Sequence, residues 1–192
     1  MKITKIDTHL VNVGHRNWPF VKVYTDEGLY GIGEAYSCGP DMATVKVIHD
    51  FEGWLVGRDP RDIEGLYSLM YAGSRFPGGS VVNAAISGIE HALWDILGKS
   101  VGEPVYRLLG GLCRERVRVY EHIGGRTPEE VAQQAETLVA CYGYTCLKLE
   151  PAQPADSQNM SAAELVKAAE ARMRAAREAV GDAVDIGVDM HA

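Results

Sequence analysis

Close to its end the sequence carries Asp189-Met190-His191, an acid and an imidazole two residues apart. The five residues before them, Val184-Asp185-Ile186-Gly187-Val188, read as a short buried β-strand. Strand side chains alternate, so Asp189 and His191 are expected to leave the strand end on the same side. A carboxylate placed there suits a hard cation, and a neighbouring imidazole moves protons near neutral pH. If the strand belongs to a parallel barrel, its C-terminal end is where catalytic groups gather. The alternative is a plain strand-to-loop exit with two solvated polar residues.

The elements that must position this pair fall into two unlike grammars. Residues 1 to about 112 alternate early as strands: Ile3 to Val13, Phe20 to Thr25 and Leu29 to Tyr36, the last two joined by the turn Asp26-Glu27-Gly28 into an antiparallel hairpin. Asp59-Pro60 predicts the opening of a helix through about Tyr71, and a glycine-rich loop runs from Ala72 to Gly79. Ser80 is expected to cap the longest helix, along which Val82, Ala85, Ile89, Leu93 and Ile96 recur at helical spacing. Small residues Ala84, Ala85 and Ala92 permit close packing on it, and Gly98 and Gly102 mark its end.

From about 113 to 192 the pattern becomes strand, helix, strand, helix, strand. Val117 to Ile123, Tyr144 to Leu149 and the Val184 strand are separated by helices that open on the capping boxes Thr127-Pro128-Glu129-Glu130 and Ser161-Ala162-Ala163-Glu164. That alternation implies βαβ units with parallel strands. The expected fold class is therefore an α+β domain, a three-stranded antiparallel sheet with helices, over 1–112, followed over 113–192 by an α/β domain. Its three strands are too few to cover both faces of a parallel sheet, so a truncated chain is expected.

The 192 residues, 46% hydrophobic, are enough for one large or two small domains with real cores. A net charge of −7 argues against nucleic acid or an anionic membrane as partner. No apolar stretch approaches a membrane span, and the first residues lack a secretory h-region, so a cytoplasmic protein is expected. The four cysteines, Cys38, Cys113, Cys141 and Cys146, form no C-x-x-C pair and no zinc spacing, and read as ordinary small residues.

Several segments together resemble the enolase superfamily, in its mandelate racemase and muconate lactonizing branch. They are Met1 to Ile6, the hairpin Thr25 to Glu34, the helix segment Ser87-Gly88-Ile89-Glu90-His91-Ala92-Leu93-Trp94-Asp95-Ile96, and Tyr106-Arg107-Leu108-Leu109-Gly110-Gly111. The likeness covers essentially the whole chain, and within the branch is nearest to acid-sugar dehydratases of galactonate or mannonate type. It implies a capping domain followed by the first three β/α units of a TIM-type barrel. It implies that Asp189 is the first of three carboxylate ligands to Mg²⁺ and that His191 is an acid/base residue. Lys148 matches the first of two lysines that relatives carry at the second barrel strand, against the substrate carboxylate. Glu150 departs from the second lysine, which disfavours a racemase needing bases on both faces; Lys148 could otherwise be a surface lysine snorkelling from a strand end.

In the capping domain the segment Gly14 to Pro19, with Arg16 and Trp18, and the Arg75 loop occupy positions where the family's lids reach over substrate. Guanidinium forks suit planar anions there, although each arginine could equally be a solvated loop charge. His91 reads as structural; Glu121 and His122 close the first barrel strand with their facing undetermined; Arg126 reads as a loop cation. The expected function is Mg²⁺-dependent dehydration of a small acid sugar by a homo-oligomer, with the present chain inactive alone. Its rivals are a cycloisomerase or epimerase on the same scaffold and a non-catalytic binding or assembly protein.

Overall fold

The computed structural model describes residues 1–153, 156 and 158–190. The chain divides into two compact units, Met1–Cys113 and Arg114–Ala192.

In the first unit, strands β1 (Ile3–Asn12), β2 (Asn17–Thr25) and β3 (Tyr30–Glu34) form an antiparallel sheet in that order. One face turns inward: Ile3, Ile6, Val21 and Val23 are buried at alternate positions, as period-two patterning requires. Against it lie helices α1 (Asp41–Leu55), α2 (Ile63–Gly73) and α3 (Ser80–Val101), followed by the short turn α4 (Val105–Leu108). Ile48, Leu55, Met70, Ile89, Leu93 and Ile96 complete this core. Each such side chain contributes roughly 1.5–3 kcal/mol on burial.

Contact between sheet and helix is set by glycines. A Cβ on Gly31 would lie 1.9 Å from the Ala92 carbonyl oxygen, and one on Gly33 would lie 2.0 Å from that of Gly88. On the helix side, a Cβ at Gly88 would meet Ala35 and Val21 at 2.9 Å. Strand β3 and helix α3 thus touch backbone to backbone.

Several element boundaries differ from the sequence expectation. Helix α1 is not predicted by the sequence pattern, because Thr44, Val45, Val47 and Ile48 are β-branched and mimic a strand. Its buried residues Thr44, Ile48, Phe51 and Leu55 nonetheless recur at helical spacing. Asp59 does not open α2: its carboxylate accepts from the Arg61 amide and guanidinium, making a turn, and the helix begins at Ile63. Ser80 is the first residue of α3 rather than its cap; Gly79, at φ 86°, precedes it. Gly98 is buried inside that helix, which ends at the left-handed Gly102.

In the second unit β4 (Glu121–Ile123), β5 (Cys146–Leu149) and β6 (Asp185–Val188) form a parallel sheet in chain order. Helices α5 (Pro128–Tyr142) and α6 (Ala162–Val180) connect them, both opened by the reciprocal capping boxes seen in the sequence. Ile123, Leu147, Leu149 and Val184 pack with Val131 and Ala135 of α5 and Ala176 of α6. The strands are shorter than their apolar runs: β4 begins at Glu121, paired with Leu147, and β5 begins at Cys146. Residues 185 to 188 are not the buried strand expected; only the preceding Val184 is buried, while Asp185, Gly187 and Val188 are exposed. Among the described residues no helix is long and apolar enough to cross a membrane.

Candidate active site

The parallel strands expose one row of side chains on the face opposite the helices. Leu147 and Leu149 point into the core, so alternation sends Lys148 the other way. His122 pairs with Lys148 in register, and Lys148 with Gly187. Asp189 stands two residues past Gly187, on that same face, one layer toward the C-terminal end. Its amide donates to the Leu149 carbonyl at 2.9 Å, which continues the β5–β6 pairing past the strand.

Here the structure joins two residues that lie far apart in sequence. Lys148 Nζ is 2.7 Å from Asp189 Oδ2, with the side chains 23% and 29% exposed. The Asp189 carboxylate, through this bond, raises the Lys148 pKa above its ordinary value, so the ammonium stays protonated. Beneath it, Lys148 Nζ lies 5.2 Å from the Tyr120 ring centroid, and Tyr120 is 5.7 Å from the His122 ring. Tyr120 escaped the sequence analysis; its signal was position, two residues before His122 on the same strand face. The facing of Glu121 and His122 is now fixed. Glu121 turns toward the helices, accepting from the Tyr144 hydroxyl at 3.2 Å, and His122 lies with Lys148.

Glu150 directly follows β5, half-buried, next to the Leu149 carbonyl that binds Asp189. His191 lies outside the described residues. Arg16 is exposed at the tip of the β1–β2 hairpin, and Trp18, 40% exposed, follows it on β2 opposite Val11. Arg75 is exposed on the loop after α2, its guanidinium 5.7 Å from the Phe76 ring. His91 is exposed on α3 rather than packed in the core, and Cys141 is likewise exposed.

The hairpin bearing Arg16 and Trp18 is held from below. Buried Asp41, at the start of α1, accepts from Asn17 Nδ2 at 2.9 Å and from Ser37 Oγ at 2.7 Å. Asn17 in turn accepts from Asn12 Nδ2 at 3.0 Å, and Asn12 Oδ1 accepts from the Gly14 amide at 3.0 Å. These donors stabilise the carboxylate form and hold the Asp41 pKa below its usual range.

A unit of antiparallel sheet and helices followed by parallel β/α units is the architecture of the enolase superfamily. Residues 2–110 match the model of the mandelate racemase / muconate lactonizing enzyme N-terminal domain. The chain belongs to that family. It is 40% identical over 191 residues to the D-galactonate dehydratase of Verminephrobacter eiseniae and 38% identical to that of Xanthomonas oryzae pv. oryzae. In both cases the match covers 100% of this chain and 48% of the relative, so the chain spans about half the length of the curated relatives it matches. Among solved structures it is similar to an enolase of Agrobacterium radiobacter bound to sodium and L-malate. There the TM-score is 0.89 and the identity 36%, covering 100% of this chain and 49% of that one. A mandelate racemase/muconate lactonizing enzyme of Jannaschia sp. CCS1 gives a TM-score of 0.87 at 33% identity, covering 100% and 54%.

Proposed function

We propose that this chain supplies the capping domain and first barrel strands of a Mg²⁺-dependent hydro-lyase that dehydrates a sugar acid. The observation that carries the reading is the Lys148–Asp189 pair at neighbouring C-terminal strand ends, in a chain 40% identical to a D-galactonate dehydratase. The donor chemistry fits a hard cation: Asp189 is a partly exposed carboxylate, and a cation bound there would share its oxygens with Lys148. Among the described residues no three acidic, histidine or cysteine side chains gather into a metal site. Asp189 is therefore one ligand, and the others come from elsewhere in the assembled barrel.

A Mg²⁺ ion held by Asp189 would supply positive charge to the oxyanion that develops on the substrate carboxylate as an opposing base, contributed by the rest of the barrel, takes the α-proton. Lys148, beside Asp189 at the strand ends, faces the substrate carboxylate and adds a second positive group. His191 donates a proton to the departing β-hydroxide, so that water is lost and the enol becomes a 2-keto-3-deoxy acid. Arg16, Trp18 and Arg75 of the capping unit, with Glu150 at the strand end, contact the sugar hydroxyls. Glu150 in place of a second lysine disfavours the epimerase alternative, which needs a base on each face of the carbon.

The test uses the full-length protein, a panel of acid sugars, and Mg²⁺ or excess chelator. Chelator-sensitive formation of a 2-keto-3-deoxy acid, carrying one deuterium at C3 in D₂O, is expected with at least one sugar. Racemised substrate without dehydration would instead establish the epimerase reading. No turnover and no thermal stabilisation by Mg²⁺ and any acid sugar would establish a non-catalytic protein.

A further inference from the structure

Arg172 is the one charged side chain of the second unit that is buried among the described residues, at 5% exposure. It sits on α6, a helix whose other buried residue is Ala176. Taking a guanidinium out of water is costly unless its donors are met. Here they are met outside the helix. Nε donates to the Arg126 carbonyl at 2.8 Å, and Nη1 donates to the Pro151 carbonyl at 2.8 Å and to Asp156 Oδ2 at 2.5 Å.

Those acceptors are not scattered. Arg126 lies in the connection that leaves β4, and Pro151 and Asp156 lie in the one that leaves β5. A second tie joins the same two connections, Gln153 Nε2 donating to the Gly125 carbonyl at 2.7 Å. Loop carbonyls at strand ends have left the ladder and need new partners. A rigid planar fork that meets several of them also fixes their separation, which a lysine or an apolar residue does not do. The Pro151 carbonyl is one residue beyond Glu150, and the Leu149 carbonyl binds the Asp189 amide.

We infer that Arg172 is a positioning residue: its guanidinium clasps the loops after β4 and β5 and so sets where Glu150, Lys148 and Asp189 stand. The inference rests on the strand ends being the reaction site, as proposed above. Asp156 completes the clasp as its counter-charge, and Arg172 keeps that carboxyl below its ordinary range. A guanidinium bonded only within its own helix would leave the two loops unconnected. This one spends its donors on two separate loops.

The experiment compares Arg172→Lys and Asp156→Asn with wild type in the full-length protein. Amide hydrogen exchange is read at Asp156, Met160 and Asp189, together with kcat and KM toward the sugar acid that wild type dehydrates. Both variants are expected to exchange at least about tenfold faster at those amides, with α5 unchanged. They should lose about a hundredfold in kcat/KM, as for a misplaced but intact site, with the thermal midpoint of the first unit unmoved. Added ethylguanidinium is expected to restore part of the activity of Arg172→Ala but not of Asp156→Asn. Unchanged exchange at Asp189 overturns the inference, as does faster exchange with undiminished kcat/KM. If wild type turns over no sugar acid, the function proposed above falls, and exchange at Asp189 alone decides the role of Arg172.

Discussion

Replacing Gly33 by alanine tests whether backbone contact between β3 and α3 sets the spacing of the capping unit. The added Cβ would lie 2.0 Å from the Gly88 carbonyl oxygen and 2.9 Å from the Ala92 nitrogen. Neither is the tip of a flexible side chain, so strand and helix must part by about 1 Å to restore ordinary contact. A gap of that size forfeits a quarter to a half of each dispersion contact along the seam. Overpacking of this kind costs about 1–3 kcal/mol, and with the lost contacts around Ile89 and Leu93 we expect about 3 kcal/mol or more. For a unit of this size that lowers the thermal midpoint by roughly 12 °C or more. Calorimetry of the protein and urea titration followed by circular dichroism read the change. Gly53→Ala is the control: its Cβ would meet nothing within 4 Å on the exposed side of α1. There a gain of up to about 1 kcal/mol is expected from helix propensity. A Gly33→Ala midpoint within about 4 °C of wild type would show that the spacing is soft and refute the reasoning.

Other expectations follow from the same geometry. On the proposed function, Lys148→Met in the full-length protein should lower kcat by about 10²-fold while leaving the fold intact, and wild-type turnover in that variant would remove Lys148 from the reaction. Thr127→Ala removes the side-chain half of the α5 capping box and should cost about 1 kcal/mol of stability, measurable as a shift in urea midpoint. Asp41, Asp156, Glu130 and Glu164 all have folded pKa values lowered by hydrogen bonds or ion pairs. Such groups stabilise above their unfolded values, 3.8 for Asp and 4.5 for Glu, and lose that contribution as pH falls through the lower folded values. Midpoints measured across acid pH should therefore be flat above about pH 5 and fall below about pH 4; a midpoint that rises on acidification would contradict the assigned bonds. On the proposed function, the 192-residue chain alone should bind Mg²⁺ weakly and dehydrate nothing, because the proposal gives it Asp189 as a single ligand; turnover by that polypeptide would overturn the ligand assignment.

The sequence made the sheet of the first unit and both capping boxes readable because each is a local pattern: alternation, a tight turn, a Ser or Thr three residues before Glu. Helix α1 was hidden where β-branched residues crowd a helical stripe. Asp59-Pro60 misled because Arg61 captures the carboxylate that would have capped α2. Lys148 and Asp189 were each legible from the family resemblance, but their ion pair spans forty-one positions and emerges only from parallel register. The Arg172 clasp carries no local signature, and Tyr120 only its place two residues before His122. Both depend on which face a residue takes, and that is settled by neighbours distant in the chain.

The ladder of hydrogen bonds from Asp41 through Asn17 and Asn12 to the Gly14 amide ends just below the exposed tip of the β1–β2 hairpin. Stem and tip are thereby joined, since the last rung is the amide of Gly14, which opens the turn at φ 94°. Within the turn the side chains of His15 and Arg16 are exposed, so they can change identity or charge while Gly14 and the ladder beneath keep the shape. A loop rebuilt on this platform would therefore vary at residues 15 and 16 and keep Gly14, Asn12, Asn17 and Asp41 as its foundation.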